Sequence, residues 1–172
     1  MKKQLRIALS LLVMLVLALS MTACDKKTAE IPEGYVSFDN GDISFAYPSD
    51  WTKTEGSVTQ LINPAGVGNN ITVSYEAKSD LYKKMTVDSF NTTLKPMLET
   101  AGMKVSGVKV EQRKNPLGID ATAISYSASM SNVSMSQTMF IVDSGNKNYI
   151  VTITEVNADS TLVNNVFNTL NK

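Results

Sequence analysis

The stretch ATAISYSASMSNVSMSQTMFIV, residues 121–142, decides the fold. Small polar and larger apolar residues alternate on both sides of Ser131-Asn132, and a period of two belongs to β-strands. A turn at Ser131-Asn132 pairs Ser129 with Ser134, Ser127 with Ser136 and Ser125 with Thr138 on one face. It sets Ala128, Tyr126 and Ile124 opposite Met135, Gln137 and Met139 on the other. One face is then a ladder of hydroxyls and the other is apolar and rich in methionine. The hydroxyls could meet glycan or peptide, but a solvated sheet face accounts for them without a ligand. Thioether sulfur is a soft ligand suited to copper(I). Ile124 and Tyr126 share that face, however, and no His or Cys joins it, so the methionines read as core packing.

Working outward, residues 105–112 and 149–155 extend the hairpin to four strands. Downstream, Leu162, Val163, Val166, Phe167 and Leu170 form one helical stripe. Upstream, Val87, Phe90, Leu94, Met97, Leu98 and Ala101 recur at steps of three and four, with Thr86 as N-cap and Gly102 as stop. Pro96 inside that stripe should kink the helix or start a second piece. Residues 58–62 and 71–77 read as strands joined by the loop NPAGVGNN, residues 63–70. YVSFD-NG-DISFAY, residues 35–47, reads as a hairpin with a two-residue Asn40-Gly41 turn, pairing Phe38 with Ile43 and Val36 with Phe45. The two carboxylates of DNGD lack the further oxygen ligands of a calcium loop, so turn chemistry explains them. Strands, helix, strands, helix means an α+β domain: a central, mostly antiparallel sheet of about seven to eight strands with two main helices.

The N-terminus carries an address. MKKQLR is followed by an apolar run at residues 7–19, shorter than the roughly 18 to 20 residues of a membrane span, and then by small residues before Cys24, the only cysteine. Met21, Thr22, Ala23 and Cys24 resemble the lipobox of bacterial lipoproteins, with Met in place of the usual Leu. The resemblance implies cleavage between Ala23 and Cys24, a diacylglyceryl group on the Cys24 thiol, and anchoring in the membrane by its acyl chains. Asp25, next in line, implies retention on the inner membrane in bacteria with two membranes. The expected location is the outer face of the cytoplasmic membrane. Residues 1–23 are then a signal peptide, 24–34 a lipidated N-terminus and tether, and 35–172 one domain. The tether spans at most roughly 35 Å.

The 16 basic and 16 acidic residues balance, and loss of Lys2, Lys3 and Arg6 with the signal leaves the remainder three charges acidic. That argues against nucleic acid as a partner. Absence of histidine removes the commonest general base and metal ligand, and lipidation removes the thiol, so neither a cofactor nor a metal site is expected.

ISFAYPSDW, residues 43–51, resembles the YPxxW motif of PsbP-like proteins, which share the Mog1/PsbP fold with DcrB-like envelope lipoproteins. The order of elements is similar over most of residues 35–172. The resemblance implies a central antiparallel sheet with helices on both faces, and photosystem accessory or transport-related adaptor roles. It supplies no catalytic residues, and Tyr47, Pro48 and Trp51 read as structural: Pro48 ends a strand and Trp51 plugs the core.

The function expected is that of a lipid-anchored, non-catalytic binding or accessory module of the bacterial envelope with an envelope protein partner. Alternatives are a small solute-binding lipoprotein associated with a transporter and, behind it, a histidine-free hydrolase. Irregular loops on rigid sheets often carry function, which makes Asn63, Gly66, Gly68, Asn69 and Asn70 the candidate binding residues.

Overall fold

The structure, a computed structural model, describes residues 28–66, 68–131 and 133–172. The expected signal segment with Ala23 and Cys24, the first residues of the expected tether, Val67 and Asn132 lie outside them. The 121–142 stretch forms two paired strands, β7 (Asp120–Met130) and β8 (Val133–Asp143), in the register read from its alternation. Ser127 pairs with Ser136, Tyr126 with Gln137, and Ile124 with Met139. Ser131 turns the chain with φ of 50°, outside the usual range for a residue with a side chain. The flanking strands are β6 (Lys104–Lys114) and β9 (Lys147–Glu155). Ahead of them come β1 (Tyr35–Asp39), β2 (Ser44–Pro48), β3 (Thr52–Thr54), β4 (Thr59–Ile62) and β5 (Asn70–Ala77).

Seven of these strands make one antiparallel sheet in the order β3-β4-β5-β9-β8-β7-β6. The central pairing joins the two halves of the chain, with Ile71 opposite Ile153 and Val73 opposite Val151. Strand β3, which the sequence pattern does not announce, is a short and fully exposed edge. β1 and β2 stand apart as a two-stranded sheet.

Helix α1 (Val87–Thr100) follows β5, and α2 (Ser160–Thr169) ends the chain. They cover opposite faces of the seven-stranded sheet, and the α+β class is the one the order of elements predicts. On one face, α2 and the β1–β2 hairpin enclose Leu61, Ile71, Phe140, Val142, Val151 and Ile153. Phe167 stacks on Phe140 at 4.7 Å and Phe38 on Phe45 at 4.8 Å. Trp51 is buried in this cluster. On the other face, α1 sits over Val105, Ile124, Tyr126, Ala128 and Ile141.

The C-terminal side of α2 is tied down by polar groups. Ala46 donates its N–H to the Thr169 hydroxyl at 2.8 Å, and Ser44 and Asn171 exchange backbone hydrogen bonds. Buried Asn115, in the turn between β6 and β7, donates Nδ2 to the carbonyls of Phe167 and Leu170 and accepts from the N–H groups of Leu117 and Ile119. These bonds satisfy carbonyls that a helix end leaves without partners.

Two expectations are corrected. The β1–β2 hairpin pairs Phe38 with Phe45, Val36 with Tyr47 and Asp39 with Ser44, so its loop holds four residues instead of two. The Asn40 side chain is the cause: its Oδ1 accepts from the N–H groups of both Asp42 and Ile43, a turn that extends beyond Asn40-Gly41. The shift is two residues, so Phe38, Ile43 and Phe45 all remain buried. The second piece that Pro96 could have started does not form, since α1 is one helix from Val87 to Thr100. Pro96 is exposed, so the Thr92 carbonyl it cannot serve is open to water.

Candidate functional site

α1 begins with a reciprocal cap: Thr86 Oγ1 accepts from the Ser89 N–H, and Ser89 Oγ accepts from the Thr86 N–H. It ends with the Met103 N–H bonded to the Leu98 carbonyl and the Gly102 N–H to that of Glu99, around Gly102 at φ of 86°. This motif reverses the chain through a conformation that suits glycine and sets the residue beyond it against the last helical turn. Leu98 and Met103 are thereby brought to one place.

They form one end of an apolar groove of about 290 Å³ between α1 and the sheet. Leu94, Met97, Leu98, Met103 and Met139 supply the walls, and Phe90 lies at the bottom. Met97 is 68% exposed, whereas Phe90 is fully buried. The helix is therefore seated at its first turns and stands over an opening at its last.

The floor is polar. Tyr126 OH donates to Gln137 Oε1 at 2.5 Å, and Gln137 Nε2 donates to Thr154 Oγ1 at 3.1 Å. Thr152 completes the lining. Tyr126 packs against Phe90 at 5.4 Å, and burial pushes its phenol pKa up, so it stays neutral at physiological pH. No lining residue of the groove carries a charge.

A second cavity, of about 160 Å³, is lined by Tyr82, Lys83, Thr122, Asp143 and Asn148 among others. Here the polar groups are spent on the protein itself. Thr122 Oγ1 donates to the Tyr82 carbonyl, Asn148 Nδ2 donates to the Ser79 carbonyl, and Asp143 pairs with Lys83 at 3.0 Å and Lys78 at 3.2 Å. Lys83, with Lys78 behind it, pulls the Asp143 carboxyl pKa down to about 2. This cluster clasps residues 78–86, the lead into α1, to the ends of β8 and β9.

On either side of Val67, the described residues of the 63–70 loop are held by hydrogen bonds. Asn63 Oδ1 accepts from the Ala65 N–H, and the Asn63 N–H reaches the Asn69 carbonyl. Asn69 Oδ1 holds the Val156 N–H at 2.8 Å, and Asn70 Nδ2 donates to the Gly68 carbonyl. Gly66 and Gly68 have φ of 74° and 80°, and a Cβ on Gly68 would lie 3.1 Å from Val156 Cγ2. The loop fastens β4 and β5 to the end of β9, with its asparagines committed to backbone. Neither it nor the hydroxyl ladder contributes to the groove. Ser125, Ser127 and Ser136 continue the α2 face beyond the helix, where Ser127 is exposed.

The groove is absent from the residues that sequence reasoning selects. Its signal was present as Gln137, a lone amide in an otherwise apolar register between Met135 and Met139.

No protein-family model matches the chain, and no curated protein matches it. Among solved structures it is similar to a protein from Bacteroides thetaiotaomicron, at 17% identity and a TM-score of 0.49, over 81% of this chain and 48% of that one. It thus spans about half the length of the Bacteroides chain. It is also similar to PA94, a Pseudomonas aeruginosa protein of unknown function, at 17% identity and a TM-score of 0.39, over 74% and 86% of the two chains. A third similarity is to LpqN, involved in cell envelope biogenesis of Mycobacterium tuberculosis, at 16% identity and a TM-score of 0.44, over 79% and 88%. These values describe a distant likeness in chain path and bring no residue role or ligand with them. Among the described residues, no helix is long and apolar enough to cross a membrane.

Proposed function

We propose that this chain is a lipid-anchored module on the outer face of the cytoplasmic membrane, with a PsbP-like or DcrB-like domain that binds another envelope component without transforming it. The groove beneath α1 carries the binding reading: apolar walls without a charged residue stay open beside a polar floor, whereas the cavity at Tyr82 and Asp143 is occupied with the protein's own hydrogen bonds and ion pairs. The anchor rests on Met21, Thr22, Ala23 and Cys24, and the family reading on Tyr47, Pro48 and Trp51. Trp51 donates its backbone N–H to the Pro48 carbonyl and buries its ring, a structural use of that motif. The non-catalytic reading is supported by the absence of histidine and by the two carboxylate clusters: Asp143 is paired with Lys83 and Lys78, and Asp42 pairs with Lys147 at 3.4 Å and accepts from the Tyr149 hydroxyl, both reading as structural.

In-cell photo-cross-linking tests the binding site. A photoreactive residue at Met97 is expected to capture a partner or ligand, and one at Asn63 in the 63–70 loop is not. Adducts at Asn63 alone would move the site to the loop. For the anchor, Cys24→Ser is expected to release the protein from the membrane fraction. A processed variant that stays membrane-bound would refute lipidation.

The groove also favours the second reading, a small solute-binding lipoprotein, because its dimensions suit a small molecule better than a protein surface.

A further inference from the structure

The polar floor of the groove has more hydrogen-bonding capacity than the protein uses. A primary amide offers two N–H donors and two acceptor lone pairs. Gln137 gives one N–H to Thr154 and receives one hydrogen bond from Tyr126, leaving one donor and one acceptor site. Thr152 lines the same groove, and its hydroxyl has no hydrogen-bond partner among the described residues. Both side chains are half-buried. Tyr126 and Thr154 hold Gln137 from either side, so its amide is fixed in place before any ligand arrives.

The walls set the remaining terms. Met97, Met103 and Met139 are flexible and polarizable and adapt to an apolar body without a fixed shape. About 290 Å³ is close to twice the roughly 150 Å³ cavity that admits benzene, giving room for on the order of ten non-hydrogen atoms. With no charged side chain in the lining, an ionic head group would lose its water and gain no counter-charge.

Resting on the groove being the binding site, we infer that its ligand is a small uncharged molecule with an apolar body and one amide-like head that both donates and accepts at Gln137 and Thr152. Selection then works by head group, because an amide satisfies polar groups that otherwise need water, whereas a charge is excluded.

Octanamide, octanoate and octylammonium share a chain and differ in head group. Each is titrated into residues 28–172, which hold both core clusters whole, with methionine methyl groups followed by NMR. Octanamide is expected to shift Met97, Met103 and Met139 together and leave Met130, at the β7–β8 turn, in place. Both charged probes should bind at least about tenfold more weakly. Gln137→Leu should cost octanamide at least about tenfold. Because that change also unpairs Tyr126 and Thr154, Met97→Glu on the exposed rim provides a second variant, expected to weaken octanamide by a similar factor in a normally folded domain. Equal binding of all three probes would overturn the head-group inference and leave the groove as a site. Silence at all three methionines, together with protein adducts from Met97, would show a protein contact and overturn the small-molecule class. Silence in both experiments would remove the groove from the binding account altogether.

Discussion

Helix α2 brings Leu162, Val166 and Phe167 against its face of the sheet at 7%, 0% and 2% exposure, whereas α1 on the opposite face buries Phe90 alone. Both helices have one apolar stripe and a side-chain N-cap. Their periodicity is alike, and their burial is not. The difference lies in what closes around each. The β1–β2 hairpin, Asn115 and the backbone pairing of Ser44 with Asn171 complete the shell around α2. α1 has an ionic clasp at its lead-in, and among the described residues nothing beyond Met103 covers its last turn. A sheet sealed beneath one helix and partly open beneath the other can keep its fold while the open side adapts to a ligand.

The largest expected effect is on the sealed face. Phe167→Ala removes a ring that stacks on Phe140 and meets the Arg113 guanidinium at 4.3 Å, and it should cost about 3 to 5 kcal/mol in urea melts. A loss near 1 kcal/mol would mean that the α2 face is as loosely packed as the other. Asn115→Ala should cost about 2 to 3 kcal/mol, because the Leu170 carbonyl loses its side-chain donor, the Phe167 carbonyl keeps only the long bond from the Leu170 N–H, and the Leu117 and Ile119 N–H groups lose their acceptor. A neutral result would show that water reaches that helix end.

Smaller effects are expected on the open face. The Asp143 carboxyl is lowered from 3.8 to about 2 by Lys83 and Lys78, so it stabilises the fold above about pH 4 and loses that contribution as pH falls toward 2. Asp143→Asn should therefore narrow the stability difference between pH 5 and pH 2.5, by less than about 1 kcal/mol for so accessible a pair. An unchanged difference would detach the clasp from acid sensitivity. Met97→Ala should change stability by no more than about 0.5 kcal/mol, since its side chain faces water. A loss above about 2 kcal/mol would show that the groove is ordinary core.

Much of this was legible from alternation. Residues 121–142 specify their own pairing because a one-residue slip would carry Ile124 and Tyr126 to the hydroxyl face. The α2 stripe was legible because 3.6-residue periodicity marks a buried side. The hairpin at residues 35–48 was misread because Asn40 uses its side chain to enlarge the turn, a choice between two loops that the dipeptide does not distinguish. The groove was missed for another reason. Periodicity along α1 tells which side is apolar but says nothing of how completely the sheet covers it. That depends on where Gly102 turns the chain and on Gln137 lying across from Tyr126.

Native-state amide hydrogen exchange compares the two helices directly. Amides of α1 between Leu94 and Thr100 should exchange through a local opening at least about 2 kcal/mol easier than global unfolding, while those of α2 between Val163 and Phe167 exchange only with the whole domain. Equal protection in the two helices would contradict an open face and, with it, a binding groove beneath α1.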